Sequence, residues 1–282
     1  MKVTLWRQLI LLLIFITIRQ QMLAGVPMPG IIPVSATDSL TKTNSTSVDV
    51  FIPLQLPVQS FVNTYLDEHA DLLDRIKEDN KSTFTLIQKI LVKRGVPAQL
   101  MYLAVVESKL KNSATSGAGA AGVWQLMPAT ARTLGLKVNG STDQRRHIYQ
   151  SSEAAANYLT TLYKQFDDWL LVIAAYNCGA GNVQKAMKQS GSREFWKLQY
   201  HLPKETRDHV KRFIATHFYY EGEGSIATLT KTERKKHLDS LQLINTKQNT
   251  ADEEQLPTTA EIPVRWVLMA KDEGKFEFVV RK

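Results

Sequence analysis

A single carboxylate, Glu107, closes the apolar run LMYLAVV, and the next acid along the chain is Asp143. Helical spacing from Leu100, Leu103 and Ala104 sets Glu107 on the same face as those residues. A carboxyl placed there is partly withdrawn from water, which favours its protonated form. That is the state a general acid needs to protonate a leaving oxygen near neutral pH. On position alone, a Glu near a helix end is more often an ordinary exposed residue.

The neighbouring residues sharpen the question. SGAGAAG, Ser116 to Gly122, lacks bulky side chains, so its backbone can approach a ligand closely. It is equally a turn between helices. VWQLMP then sets an aromatic, an amide and a thioether in one short patch. Trp124 could stack on a sugar ring and Gln125 could bond an acetamido group, while Trp124 and Met127 also suit a plain core. AAYNCGAGNV ends an apolar helix in Tyr176 and Asn177, which either face a cleft or, with Gly179, form a C-cap. Glu205 sits in a first helical turn, where the macrodipole favours an acid whatever its use. His209 and His217 are eight residues apart and share a helix face. HExxH, Cys/His clusters, GxSxG, Walker and dinucleotide fingerprints are all missing, so neither a metal nor a cofactor is expected.

These residues need helices to position them, and the chain reads as helical from Val58 onward. FVNTYLDEHADLLDRI continues the first helix. TFTLIQKILVKRG places Phe84, Ile87, Ile90 and Leu91 on one face and ends at Gly95. Pro97 suits the first turn of the next helix, through LMYLAVVESKL. PATARTLG begins at Pro128, and SSEAAANYLTTLYKQF is capped by Ser151 or Ser152. DDWLLVIAAYN is capped by Asp167 or Asp168, VQKAMKQSG follows Asn182, and a last long helix opens at Pro203. With no βαβ alternation and no repeat, residues 58–222 read as one all-α domain. After Gly224, KTERKKH is a charged run suited to a solvated face. RWVLMAKDEGKFEFVVRK has two β-prone runs that predict a hairpin.

The first 24 residues pair Lys2 and Arg7 with an apolar stretch, Leu9 to Ile18, and small residues at Ala24 and Gly25. That is the pattern of a secretory signal peptide; left uncleaved, it would be a membrane anchor. Residues 25–57, rich in Pro, Ser and Thr, follow as a linker. The full chain carries a net charge of +8, and loss of Lys2, Arg7 and Arg19 with the leader leaves +5. This suits an anionic polymer but lacks the concentrated stripe expected for nucleic acid. Cys178 is the only cysteine, so no internal disulfide forms, and it reads as a small buried residue. No cysteine lies near the leader's end to carry a lipid.

In their order and spacing, ES, SGAGAAGVWQLMPATA, AAYNCGAGNV and PKETRDHVKR resemble the lytic transglycosylase family of the lysozyme superfamily, over roughly Val58 to Gly222. The resemblance implies an all-α, lysozyme-like fold of the goose-type lysozyme/SLT kind, with peptidoglycan glycan strands as partner. It implies Glu107 as the catalytic acid, followed by Ser108 of the family signature. Ser116, Gln125, Met127, Tyr176 and Glu205 would line the glycan cleft, with Asn177 completing a Tyr-Asn motif. Residues 223–282 are then an extension of unassigned role, and they show no LysM pattern. A lone carboxylate fits cleavage without water, because glycoside hydrolases usually need two. A hydrolase would have to recruit Asp143, Glu153, Asp167 or Glu205. A non-catalytic glycan-binding protein is the third reading.

Overall fold

The computed structural model describes residues 51–251, 265–271 and 275–281. The expected leader, and the linker up to residue 50, lie outside the described residues. Helix α1 (Leu56–Asp79) begins with Pro57 in its first turn and buries Val58, Val62, Leu66, Leu73 and Ile76. Helix α2 (Lys81–Lys93) buries Ile87, Ile90 and Leu91. Gly95, at φ 69°, ends it as its position predicts. Pro97 opens a short 3-10 turn, Ala98–Leu100, rather than the helix itself. Helix α3 (Met101–Ser108) then stops two residues short of Leu110, because Lys109 and Leu110 are left-handed.

Helix α4 spans Pro128–Thr133. Helix α5 (Ile148–Phe166) starts earlier than its serines suggest: its cap is His147, whose side chain accepts from the Gln150 N–H. Ser151 and Ser152 lie fully buried inside it. Ser151 donates to the His147 carbonyl at 2.9 Å instead of capping. Helix α6 (Trp169–Cys178) is capped by Asp168. Asp167 ends α5 in a left-handed conformation instead. Helix α7 (Ala180–Ser190) starts two residues before Asn182. Helices α8 (Phe195–Leu198) and α9 (Lys204–Glu221) complete the body.

Every residue of α6 from Trp169 to Ala175 is buried. A helix that is apolar all round belongs at the centre of a domain, and α5, α7 and α9 pack around it. Helix α9 also packs on α1 and α3, which brings the Glu107 end of α3 beside it. The architecture is therefore all-α where the site lies. The charged run after Gly224 begins a further helix, α10 (Lys231–Ala251), and Arg265–Lys271 (β1) and Lys275–Arg281 (β2) pair antiparallel. Among the described residues, no helix is long and apolar enough to cross a membrane.

Helix α10 is held at its first turn. Lys231 and Arg234 both pair with the Asp167 carboxylate, at 2.7 and 3.0 Å. The Lys231 N–H donates to the Asp168 carboxylate at 2.6 Å, whose other oxygen caps Leu170 and Leu171. One buried acid thus caps the starts of two helices. Burial pushes the Asp168 carboxyl up from 3.8 to about 6, against the three backbone N–H groups that lower it. In that window the folded chain keeps a proton that the unfolded chain has released. The contribution to stability is present at low pH and is lost as pH rises through about 6. Denaturant midpoints taken on either side of the window should fall with rising pH in the wild type. They should fall less in Asp168→Asn, which has no proton to lose.

Gly122, at φ 78°, is pressed against the chain: a Cβ there would lie 1.9 Å from the Arg145 carbonyl oxygen. Gly119 has a similar φ of 85° but open space around it. Thermal unfolding should therefore separate the two alanine variants. Gly119→Ala should cost on the order of 1 kcal/mol from backbone strain alone, and Gly122→Ala several-fold more.

Candidate active site

The segment joining α3 to α4, residues 109–127, has almost no regular structure, yet Ala121, Val123, Trp124 and Leu126 within it are buried. Some of its carbonyls accept from its own N–H groups, as Leu126 from Ala121 and Ala114 from Gly122, and the others need side-chain donors. Arg145 supplies two, to Gly119 at 2.7 Å and Leu126 at 2.9 Å, while its remaining guanidinium N–H groups hold Asp143. Arg146 reaches the carbonyls of Asn112 and Ala114 and the hydroxyl of Thr115. Ser108 donates to the Val123 carbonyl at 2.9 Å, and Tyr176 to the Trp124 carbonyl at 2.7 Å. The Trp124 indole N–H reaches Ser152 at 2.9 Å.

Trp124 is thus a core anchor, fully buried, with no face left for a sugar ring. The shape so imposed is strained. Among the described residues, Lys109, Leu110, Gln125 and Asp167 are the non-glycine positions with positive φ, and the first three lie in this loop. Each costs roughly 1–2 kcal/mol relative to a right-handed conformation, and such strain gathers where a surrounding scaffold over-determines a site.

Glu107 stands at the root of this loop with 14% of its side chain exposed. Its Oε1 lies 2.9 Å from Nε2 of His209, which is itself buried on α9. Tyr176, half-buried, has its phenol pushed well above the usual range, first by burial and then by the charge of Glu107. Asn177 accepts from the Thr206 hydroxyl at 2.8 Å, which ties the end of α6 to the first turn of α9. Gln125 gives its amide hydrogens to the carbonyls of Gly122 and Ala114. Ser116 accepts from the Ala120 N–H at 3.0 Å. Met127 is 43% exposed.

The structure therefore gathers Glu107, Tyr176 and Asn177 around α9, with Ser108 and Gln125 shaping the adjoining loop. Ser116, Met127 and Glu205 form no hydrogen bond or ion pair with Glu107. Three of the four acids open to a second catalytic role are committed elsewhere. Asp143 is held by Arg145, which keeps its carboxyl below the usual range. Glu153 is paired with Arg94 and Asp167 with Lys231 and Arg234. Glu205, one helical turn before His209, is the only one on α9. A cavity of about 270 Å³ lined by Lys77, Phe84, Tyr102 and Tyr220 lies apart from all of these groups. Cys178 is half-buried rather than buried, and unpaired with any other cysteine. Among the described residues no cluster could hold a metal ion.

Thr206, Arg145 and Arg146 are participants that pattern reading passed over, and His209 stands in it only beside His217, with no role. His209 carried a signal: it falls on the buried stripe of α9 with Val210 and Phe213. A polar residue at a core position requires a partner. The same holds for His217, which burial depresses to about 3 and which bonds Ser225.

Residues 85–199 match the family described as the transglycosylase SLT domain. Membrane-bound lytic murein transglycosylase D of Escherichia coli (strain K12) is 46% identical over 128 residues, which are 44% of this chain and 28% of that protein. The peptidoglycan transglycosylase gp16 of Escherichia phage T7 is 35% identical over 111 residues, 38% of this chain and 8% of that one. The chain thus spans well under a third of these relatives' lengths. Among solved structures, the 70-kDa soluble lytic transglycosylase of Escherichia coli matches with 23% identity and a TM-score of 0.47, over 62% of this chain and 30% of that one.

Tyr176→Phe tests the clamp between α6 and the loop. The ring and its packing on Tyr158 remain while the bond to Trp124 is lost. Stability should fall by about 1 kcal/mol. Amide hydrogen exchange should quicken at residues 123–127 but not in α1 or α2.

Proposed function

We propose that this protein is a peptidoglycan lytic transglycosylase. It cleaves the β-1,4 bond between N-acetylmuramic acid and N-acetylglucosamine without water and leaves 1,6-anhydro ends. The observation that carries this reading is Glu107 itself. It is partly exposed at the mouth of a strained, clamped loop within the matched domain, and three of the candidate second acids are held by cations elsewhere. In this reading Glu107 protonates the glycosidic oxygen as the C1–O bond breaks. The C6 hydroxyl of the same muramyl residue bonds to C1 and returns its proton to Glu107, so no proton is gained or lost. The substrate supplies its own nucleophile, with the rate advantage of an intramolecular reaction.

Gln125, Met127, Tyr176, Asn177, Ser116 and Glu205 then line or shape the glycan cleft, and Ser108 fixes the loop beneath it. Residues 1–24 serve as an export signal, 25–57 as a linker and 58–222 as the catalytic domain, with 223–282 an extension clasped at its first helical turn. The protein then works in the periplasm or cell envelope, in cell-wall remodelling. Membrane association would follow only from an uncleaved leader. Hydrolysis on the same fold is the second reading, and Glu205 is the acid it would need, because α9 also carries the partner of Glu107.

Mass spectrometry of muropeptides released from purified sacculi separates these readings. Products one water lighter than ordinary muropeptides are expected from the wild type and not from Glu107→Gln. Reducing ends would make the enzyme a hydrolase, and binding without release would make it a glycan-binding protein.

A further inference from the structure

His209 is nearly enclosed, and one of its ring nitrogens is committed. Nε2 lies 2.9 Å from Oε1 of Glu107, while Nδ1 is buried with no partner among the described residues. The two tautomers are therefore unequal. A proton on Nδ1 would be a buried N–H with no acceptor, a rarer and costlier state than a bare lone pair. The favoured ring carries its proton on Nε2 and donates it to Glu107. On the carboxyl, Oε2 has no protein partner among the described residues, and it is not among the buried polar atoms.

We propose that His209 is a positioning residue for Glu107: its Nε2–H holds Oε1, which leaves the acid's own proton on Oε2, the oxygen open to a bound glycan. This rests on the reading of Glu107 as the acid. The same bond also favours the reaction's progress. While Glu107 is protonated, the imidazole donates to a neutral acceptor. As the Oε2 proton passes to the glycosidic oxygen the acceptor becomes a carboxylate, and hydrogen bonds to ionised groups are about twice as strong as neutral ones. An interaction that strengthens only on the way to the transition state raises kcat and leaves KM alone. Oε1 stays held throughout, so Oε2 is also the atom that receives the C6 hydroxyl proton in the return step.

Two substitutions distinguish this role from simple packing. His209→Phe keeps a ring in the core but removes the donor. His209→Gln gives up the ring, yet its amide nitrogen can occupy the place of Nε2 and donate. Turnover of sacculi by full-length protein should fall about tenfold in His209→Phe with KM unchanged, and most of it should return in His209→Gln. A packing role predicts the reverse order, with the glutamine variant worse, and that order overturns the proposal. So does a change confined to KM.

A second measurement does not depend on activity. Long-range proton–nitrogen spectra of nitrogen-15-labelled wild type should show Nε2 protonated and Nδ1 bare, and a proton on Nδ1 would refute the assignment. If the wild type released no product at all, the catalytic reading would fall while the spectra still decided the tautomer.

Discussion

In the loop between α3 and α4 the carbonyls of Gly119, Val123 and Trp124 accept from no backbone N–H among the described residues, and the rest of the site follows from how they are met. A buried carbonyl without a donor is costly, so each of the surrounding elements sends one. Ser108 comes from α3, Arg145 from the turn before α5, and Tyr176 from α6. Because these donors come from elements far apart in sequence, the loop can take its shape only when the whole body has assembled. Glu107, at the loop's root, inherits that rigidity. Its remaining freedom is taken up by His209, which sits on α9, a helix that packs against α1, α3 and α6.

Glu107 is partly buried, with 14% of its side chain exposed and Oε1 at 2.9 Å from Nε2 of His209, so the carboxyl is neither cut off from water nor free to move. The half-buried phenol of Tyr176 adds a polar but uncharged wall, since burial and the neighbouring carboxylate both keep it protonated.

Local rules made most of the helices legible. Ile87, Ile90 and Leu91 with Gly95, the apolar α6, and Glu205 in a first turn are all written in spacing and capping residues within a few positions of one another. Glu107, Tyr176 and Asn177 were legible as a set because their motifs occur in a specific order. What spacing could not carry was tertiary. The start of α5 went to His147 because Ser151 and Ser152 were needed inside, Ser152 as the acceptor for Trp124. Trp124 itself offered two readings, stacking platform or core, and only the packing of α5 beneath it decides for core. The residues that hold the loop, Arg145 and Arg146, lie 19 to 34 positions from the carbonyls they serve, in a stretch with no motif. The pairing of Glu107 with His209 joins positions 102 residues apart.

The shared use of Asp168 has a bearing on where this domain ends. By hydrophobic pattern the body closes at Gly222, and everything after it looks dispensable. Yet the acid that starts the central helix spends its second oxygen on Lys231, and Asp167 beside it draws in Arg234. The limit of the cooperative unit is therefore drawn by a polar knot and not by the edge of the core. Any shortening of the chain before residue 231 would take one of its three backbone donors from the buried Asp168 carboxyl, at the head of the helix whose far end presents Tyr176 and Asn177.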